Sequence, residues 1–167
     1  MKSEFRDQLV FLMPRLRRFA IGLTADVDEA DDLLQSACEK ALTNQHQWLP
    51  GSRLDSWMYR IIQTTRIDWL RRNRRYHIIS VEEALVSEMV DEKNDNRPET
   101  EDLLQKTLAV LNQLPEEQRS VMMLFVVEGC SYKEIAEILK TPTGTVMSRL
   151  CRARVQLQTL IGYEPSE

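Results

Sequence analysis

The strongest constraint on the fold is the stretch Ser131–Leu157, SYKEIAEILKTPTGTVMSRLCRARVQL. Two short helices joined by a tight turn satisfy its pattern. Ser131 and Glu134 have the spacing of a capping box, in which each side chain satisfies a free backbone N–H at a helix start. Ile135, Ala136, Ile138 and Leu139 recur at helical spacing and supply one stripe for burial. Pro142 opens the next helix, because proline in the first helical position sacrifices no hydrogen bond that the helix needs. Resolved at about 100° per residue, that second helix turns Val146, Leu150, Ala153, Leu157 and Leu160 inward. Gly144, Ser148, Cys151, Arg152 and Val155 share the far side, flanked by Met147 on one edge and by Thr145 and Arg149 on the other.

No acid occurs from Ile138 to Tyr163, whereas Lys140, Arg149, Arg152 and Arg154 are cationic. A cationic helix with a hydroxyl and small residues on its outer face suits the major groove of DNA, where arginine and serine reach base edges and phosphates. The layout is that of a helix-turn-helix. For this stretch alone, a surface hairpin with a solvated basic face remains an equal reading.

The chain has 167 residues, enough for one medium domain or two small ones, and its 43% hydrophobic and 29% charged content fits a soluble globular protein. The formal net charge of −4 argues in bulk against nucleic acid, so the distribution of charge decides. Cys38, Cys130 and Cys151 form no CxxC pair, and His46 and His77 have no metal-type spacing. No zinc site, other metal or disulfide framework is expected; reduced thiols fit a cytoplasmic protein. No signal-peptide core or membrane-length apolar run is present, so no membrane insertion is expected. No paired catalytic carboxylates, nucleophile triad or phosphate-cradling Gly-rich loop appears. The expectation is therefore no enzyme, no catalytic residues and no cofactor.

Taken in order, Phe5 to Leu23 reads as a first helix, bent or split by Pro14 and ended near Gly22. Asp26 to Leu42 is a second, with Val27, Ala30, Leu33, Leu34, Ala37 and Leu42 as its buried stripe. Asp26, Asp28, Glu29, Asp31 and Asp32 crowd its start. Acids there complement the helix dipole, but five exceed what capping needs, which leaves open a docking surface for a basic partner. Gln45 to Leu54 is a loop around Pro50-Gly51.

Asp55 to Arg75 is a third helix, in which Trp57, Ile61, Ile62, Thr65 and Trp69 line one side, with both tryptophans expected in the core. Arg53, Arg60, Arg66, Arg71, Arg72, Arg74 and Arg75 outweigh Asp55 and Asp68. Aromatics interleaved with arginines offer an unpaired DNA strand both stacking surfaces and cations; solvated arginines over an aromatic core are the plainer alternative. Residues 77–98 have the acidic, Asn-containing composition of a flexible linker. A helix with Leu104, Leu108 and Leu111, and another begun by Pro115 with Val121, Leu124, Phe125 and Val127 facing a core, precede the helix-turn-helix. The expected fold is all-α: two small helical domains, residues 1–76 and 99–163, joined by the acidic linker.

Four segments, DEADDLLQSACEKAL, SWMYRIIQTTRIDWLRRNRR, LNQLPEEQRSVMMLFVVEGCSYKEIAEIL and PTGTVMSRLCRAR, resemble in order and spacing the ECF-type (extracytoplasmic function) bacterial sigma factors of the sigma-70 family. The last two are the more specific, and together the four cover most of the chain. The resemblance implies a transcription initiation factor with two domains, region 2 and region 4. Its partners would be core RNA polymerase, promoter DNA and an anti-sigma factor that holds it inactive until a signal releases it.

The resemblance also implies roles residue by residue. Asp31, Asp32, Leu34 and Gln35 would dock on polymerase. Trp48, Ser52, Arg53 and Trp57 would help melt the minus-ten element and hold an extruded base, with Arg60, Arg66, Arg71, Arg72, Arg74 and Arg75 on phosphates. Thr145, Met147, Ser148, Arg149, Cys151, Arg152 and Arg154 would face the minus-thirty-five element. Met147 stands where many relatives carry a basic residue, Cys151 where some carry a larger one, and Thr64 where an Asn is common. Ala37-Cys38 replaces bulkier residues. A sigma-like decoy, which need not keep basic DNA-facing helices, a dimeric helix-turn-helix repressor and an enzyme using Cys38 or His46 are the competing readings.

Overall fold

A computed structural model describes residues 2–80 and 99–162, with the side chains of Lys2 and of 75–80 outside the description. Every regular element among the described residues is helical. The N-terminal unit comprises α1 (Lys2–Thr24), α2 (Val27–Thr43), a single 3-10 turn at Gln45–Gln47, and α3 (Leu54–Ser80). The C-terminal unit comprises α4 (Glu99–Asn112), α5 (Glu116–Met122) continued by a π-helical segment at Met123–Val127, α6 (Tyr132–Leu139) and α7 (Thr143–Leu160). The expected linker differs at its start, since α3 runs on to Ser80; residues 81–98 lie outside the described residues.

Pro14 leaves α1 unbroken. The helix also runs past Gly22, where its end was expected, to Thr24, and Ala25 just after it takes the left-handed conformation at φ +54°. Gly22 is needed for a different reason. A Cβ on it would stand 2.1 Å from the Met123 Cε of the other unit, so its bare backbone permits close approach between units. The α2 start is capped as its acids suggest: the Asp26 carboxylate accepts from the Glu29 N–H at 2.9 Å. Pro115 and Pro142 occupy cap positions with extended ψ, one residue before the helical position expected of them. Proline's fixed φ serves either place.

The capping box is present in both halves. Ser131 N–H donates to Glu134 at 2.7 Å, and Glu134 N–H to the Ser131 hydroxyl at 3.1 Å. The π segment explains a difference in α5. Its wider turn, with Glu128 N–H donating to the Met123 carbonyl, shifts the register by one residue. Met122 and Met123 are therefore buried, while Val127, expected inside, is exposed. Leu42 and Leu104 are likewise exposed rather than buried.

The two units pack on each other. One apolar cluster runs from Phe5, Leu16, Phe19 and Tyr59 through Val121, Met123 and Leu124 to Ile135, Val146 and Leu150. Around it, polar groups cross between the units. Arg119, only 5% exposed, donates to the Leu23 carbonyl at the end of α1 at 2.5 Å, and to the Leu114 carbonyl at 2.9 Å. It thereby satisfies a carbonyl that the α1 terminus leaves unpaired. Ser120 donates to Gln63 at 3.1 Å.

Candidate nucleic-acid interface

The α7 faces emerge as the 3.6-residue period requires. Val146, Leu150 and Ala153 are buried, and Leu157 packs against the core. Ser148, Cys151 and Arg152 are exposed, Met147 is 51% exposed, and Thr145 and Arg149 are half-buried at the edge. α6 packs beneath α7 and sets its angle; its Ile135 and Ile138 are buried. Arg149 reaches Glu117 at 3.4 Å, and the Arg154 guanidinium lies 5.6 Å from the Phe125 ring centre. Arg152 has no ion pair with another described residue. The outer face of α7 thus presents a free cation, hydroxyls and small or flexible side chains on one exposed surface, suited to a groove of duplex DNA.

α3 divides into two parts. Arg71, Arg72 and Arg74 near its C-terminal end are exposed and make no ion pair with another described residue; the side chain of Arg75 lies outside the described residues. Nearer the start, the arginines are occupied. Arg53 forms a two-point contact with Asp55, at 2.8 and 3.2 Å, and a further ion pair with Glu134 of α6. Hydrogen bonding to Asp55 pushes the Arg53 pKa further up. Burial pushes the Asp55 carboxyl up, but hydrogen bonds from Arg53 and the Ser56 N–H outweigh it and leave the carboxyl below its usual range. The Glu134 carboxyl is held low by the Ser131 N–H and by Arg53.

Arg66 corrects an expectation. It is 8% exposed, pairing with Glu116 at 3.2 Å and Glu29 at 3.3 Å, and its guanidinium lies 5.0 Å from the Trp69 ring centre. Two carboxylates and a ring hold it inward, so in this arrangement it cannot reach a phosphate.

The aromatic positions are also redistributed. Trp48 is 9% exposed and packs on Phe5 at 5.5 Å, so it belongs to the core and offers no open stacking face. Trp69, expected in the core, is 43% exposed. Trp57 is half-buried against Phe5 and, with Ser52, Arg53 and Arg60, lines a groove of about 430 Å³ whose other wall is Glu134, Glu137 and Ile138. The Ser52 hydroxyl donates to the Leu49 carbonyl at 2.6 Å, shaping the loop before α3.

On α2, Asp31, Asp32 and Gln35 are exposed, but Leu34 is 5% exposed and serves the core. It belongs to the same inward stripe as Ala30 and Ala37. Arg17 of α1 meets Asp31 at 2.8 Å, and this hydrogen bond lowers the Asp31 pKa.

The structure adds residues that the helical pattern did not single out. Glu128, whose side chain has no exposed surface, accepts from Arg18 at two points, each 3.2 Å, and from the Tyr59 hydroxyl at 2.6 Å. Arg15 Nε stands 3.5 Å away. Burial, then Glu128, push the Tyr59 pKa well up. Arg119 had a local signal, an arginine at i, i+3, i+4 spacing from Met122 and Met123 on an apolar face. Glu128 had none, because its partners lie 69 to 113 positions earlier.

Among the described residues, no group of three or more His, Cys, Asp or Glu side chains is placed to hold a metal, and no helix is long and apolar enough to cross a membrane.

Comparison with known proteins bears on the same two units. Residues 12–76 match Sigma-70 region 2 and residues 104–157 match Sigma-70, region 4. The chain is 33% identical over 166 residues to the ECF RNA polymerase sigma factor EcfG of Rhodopseudomonas palustris, covering 99% of this chain and 89% of that protein. A chain in the co-crystal structure of the sigma factor RpoE with the anti-sigma factor NepR from Bartonella quintana superposes with a TM-score of 0.80 at 30% identity. The match covers 97% of this chain and 99% of that one. A chain in the structure of CnrH with the cytosolic domain of CnrY shares the fold, with a TM-score of 0.72 at 20% identity over 98% of this chain and 91% of that one.

Proposed function

The chain belongs to the ECF RNA polymerase sigma factors of the sigma-70 family, and from that premise we propose how its own residues carry promoter selection. The protein is a transcription initiation factor that binds core polymerase and directs it to promoters. The observation that carries the residue assignment is the partition of charge. Exposed acids stand at the start of α2, while exposed cations stand on the outer face of α7 and at the C-terminal end of α3.

In this reading Asp31, Asp32 and Gln35 dock on polymerase. Arg71, Arg72 and Arg74, with Arg75, hold phosphates of the minus-ten strand. Trp57, Arg60, Ser52 and Arg53 border the place where an extruded base is held. Thr145, Met147, Ser148, Arg149, Cys151, Arg152 and Arg154 read the minus-thirty-five duplex. Melting then needs no bond chemistry: a base held outside the stack shifts the equilibrium toward separated strands. The protein works in the cytoplasm without a catalytic centre of its own. An anti-sigma factor covers these surfaces until released; the complex of RpoE with the anti-sigma factor NepR supports that partner class.

In vitro transcription with purified core polymerase and genomic fragments tests this. Discrete start sites that require the protein are expected. Tight binding to free palindromic DNA, with no start site selected, would establish a repressor instead.

A further inference from the structure

We propose that Trp69 is the apolar anchor of the polymerase-docking surface, taking an aliphatic side chain from a basic helical segment of core polymerase. The inference rests on the docking reading of α2 given above and extends that surface onto α3.

The acids of α2 lack such an anchor of their own. Leu34, the one apolar residue expected among them, is 5% exposed and serves the core. Asp31, Asp32 and Gln35 remain, all polar, and Asp31 is already met by Arg17 at 2.8 Å. Exposed charges steer encounter and select a partner, but contribute little net affinity. Stable interfaces draw most of theirs from a few desolvated side chains, with tryptophan prominent among them. An apolar group beside the acids would complete the surface.

Trp69 fits by position and by surroundings. It is 43% exposed. It lines a hollow of about 180 Å³ between α2 and α3 together with Glu29, Asp32, Leu33 and Ser36. Asp32 makes no ion pair with another described residue, so a free acid and the indole open onto one hollow. Arg66, held by Glu29 at 3.3 Å, lies 5.0 Å from the ring centre. The indole is thus braced before a partner arrives, which lowers the ordering entropy that binding costs.

Size and charge select the occupant. The hollow is smaller than the roughly 300 Å³ at which small-molecule pockets begin, so it suits one inserted side chain. Leu33 and the indole give it apolar walls, which favour an aliphatic group. Glu29 and Asp32 on the same hollow repel a phosphate and attract a guanidinium or ammonium group. A helix that carries an aliphatic side chain and a basic one a turn away satisfies both demands. Trp69 also borders a wider hollow beside Lys40 and Arg72, where a nucleic-acid strand is the competing occupant.

Hydroxyl-radical footprinting of the natural chain, read residue by residue by mass spectrometry, is the first test. Oxidation of Trp69 should fall by about fivefold or more on adding core polymerase without DNA, as the ring loses water. Equal oxidation in the free and the polymerase-bound chain overturns the proposal. Protection that appears only when single-stranded promoter DNA is added assigns the ring to nucleic acid and overturns it as well.

The second test is competition for core polymerase against labelled natural chain. Trp69→Ala should bind about tenfold or more weakly, with its helical circular-dichroism signal retained. Natural affinity in that variant overturns the anchor; if the variant loses its helical signal, the footprint decides. Asp32→Lys tests the underlying reading separately. Weaker binding there with natural affinity in Trp69→Ala leaves docking on α2 and removes the anchor. Unchanged affinity in Asp32→Lys with Trp69 protected removes the α2 acid and leaves the Trp69 contact standing.

Discussion

The cations of α7 and the early arginines of α3 share a chemistry and differ in what surrounds them. Arg152 stands on an exposed helix face with no carboxylate partner among the described residues, so its charge is free for a ligand. Arg66 sits 8% exposed between Glu116 and Glu29, its charge already neutralised. The difference lies in the neighbours. α7 lies at the outer edge of the C-terminal unit, whereas the first half of α3 forms part of the contact between units. A cation count on a helix therefore measures binding capacity only where tertiary packing leaves the cations uncovered.

This contrast can be broken most forcibly at Arg119, the arginine furthest from solvent service. Arg119→Met removes donors from the Leu23 and Leu114 carbonyls and should cost about 3 kcal/mol of stability, read by urea denaturation. A loss below about 1 kcal/mol would mean that its carbonyl contacts contribute little. Arg152→Ala should do the opposite. We expect about tenfold weaker use of minus-thirty-five-dependent promoters, consistent with loss of one good base or phosphate contact, and an unaltered melting temperature. Comparable loss on promoters lacking that element would remove the assignment.

Arg71→Ala and Arg72→Ala should act more gently and without regard to sequence. Each should lower the slope of log affinity against log salt by about 1 for the polymerase-bound protein; an unchanged slope would place those arginines off the backbone. At the smallest end, Glu117→Gln breaks an exposed pair with Arg149 and should shift stability by no more than about 0.5 kcal/mol.

Acidification sharpens the same comparison. Asp55 and Glu134 have folded pKa values below their ordinary ones. Their stabilisation is therefore present above the unfolded carboxylate values near ~4 and is lost as pH falls through the lower folded values. The contact between the start of α3 and α6 through Arg53 and Glu134, and the α6 capping box that Glu134 closes, should weaken on acidification below about pH 4, read as a fall in stability to urea.

The framework of the candidate site is legible in the sequence where local rules suffice. The Ser131–Glu134 capping box and the inward set Val146, Leu150 and Ala153 follow from short-range hydrogen bonding and a 3.6-residue period, which tertiary packing did not override. Leu34 was misassigned to a docking face although its stripe with Ala30 and Ala37 already pointed inward. Trp69 is exposed because an aromatic at helical spacing shows which face it shares but not whether a neighbour covers that face, and Trp48, in the loop before α3, is buried by Phe5 of α1, far away in the chain.

From the residues alone came the helices, their caps, the acidic start of α2 and the cationic outer face of α7, since each depends on groups within a few positions of one another. The fate of individual charges was decided by the fold. Glu128 is enclosed by Arg15, Arg18 and Tyr59, and Arg66 is held by a glutamate fifty residues away. Electrostatic energy depends on separation in space and on access to water, and neither can be counted along the chain.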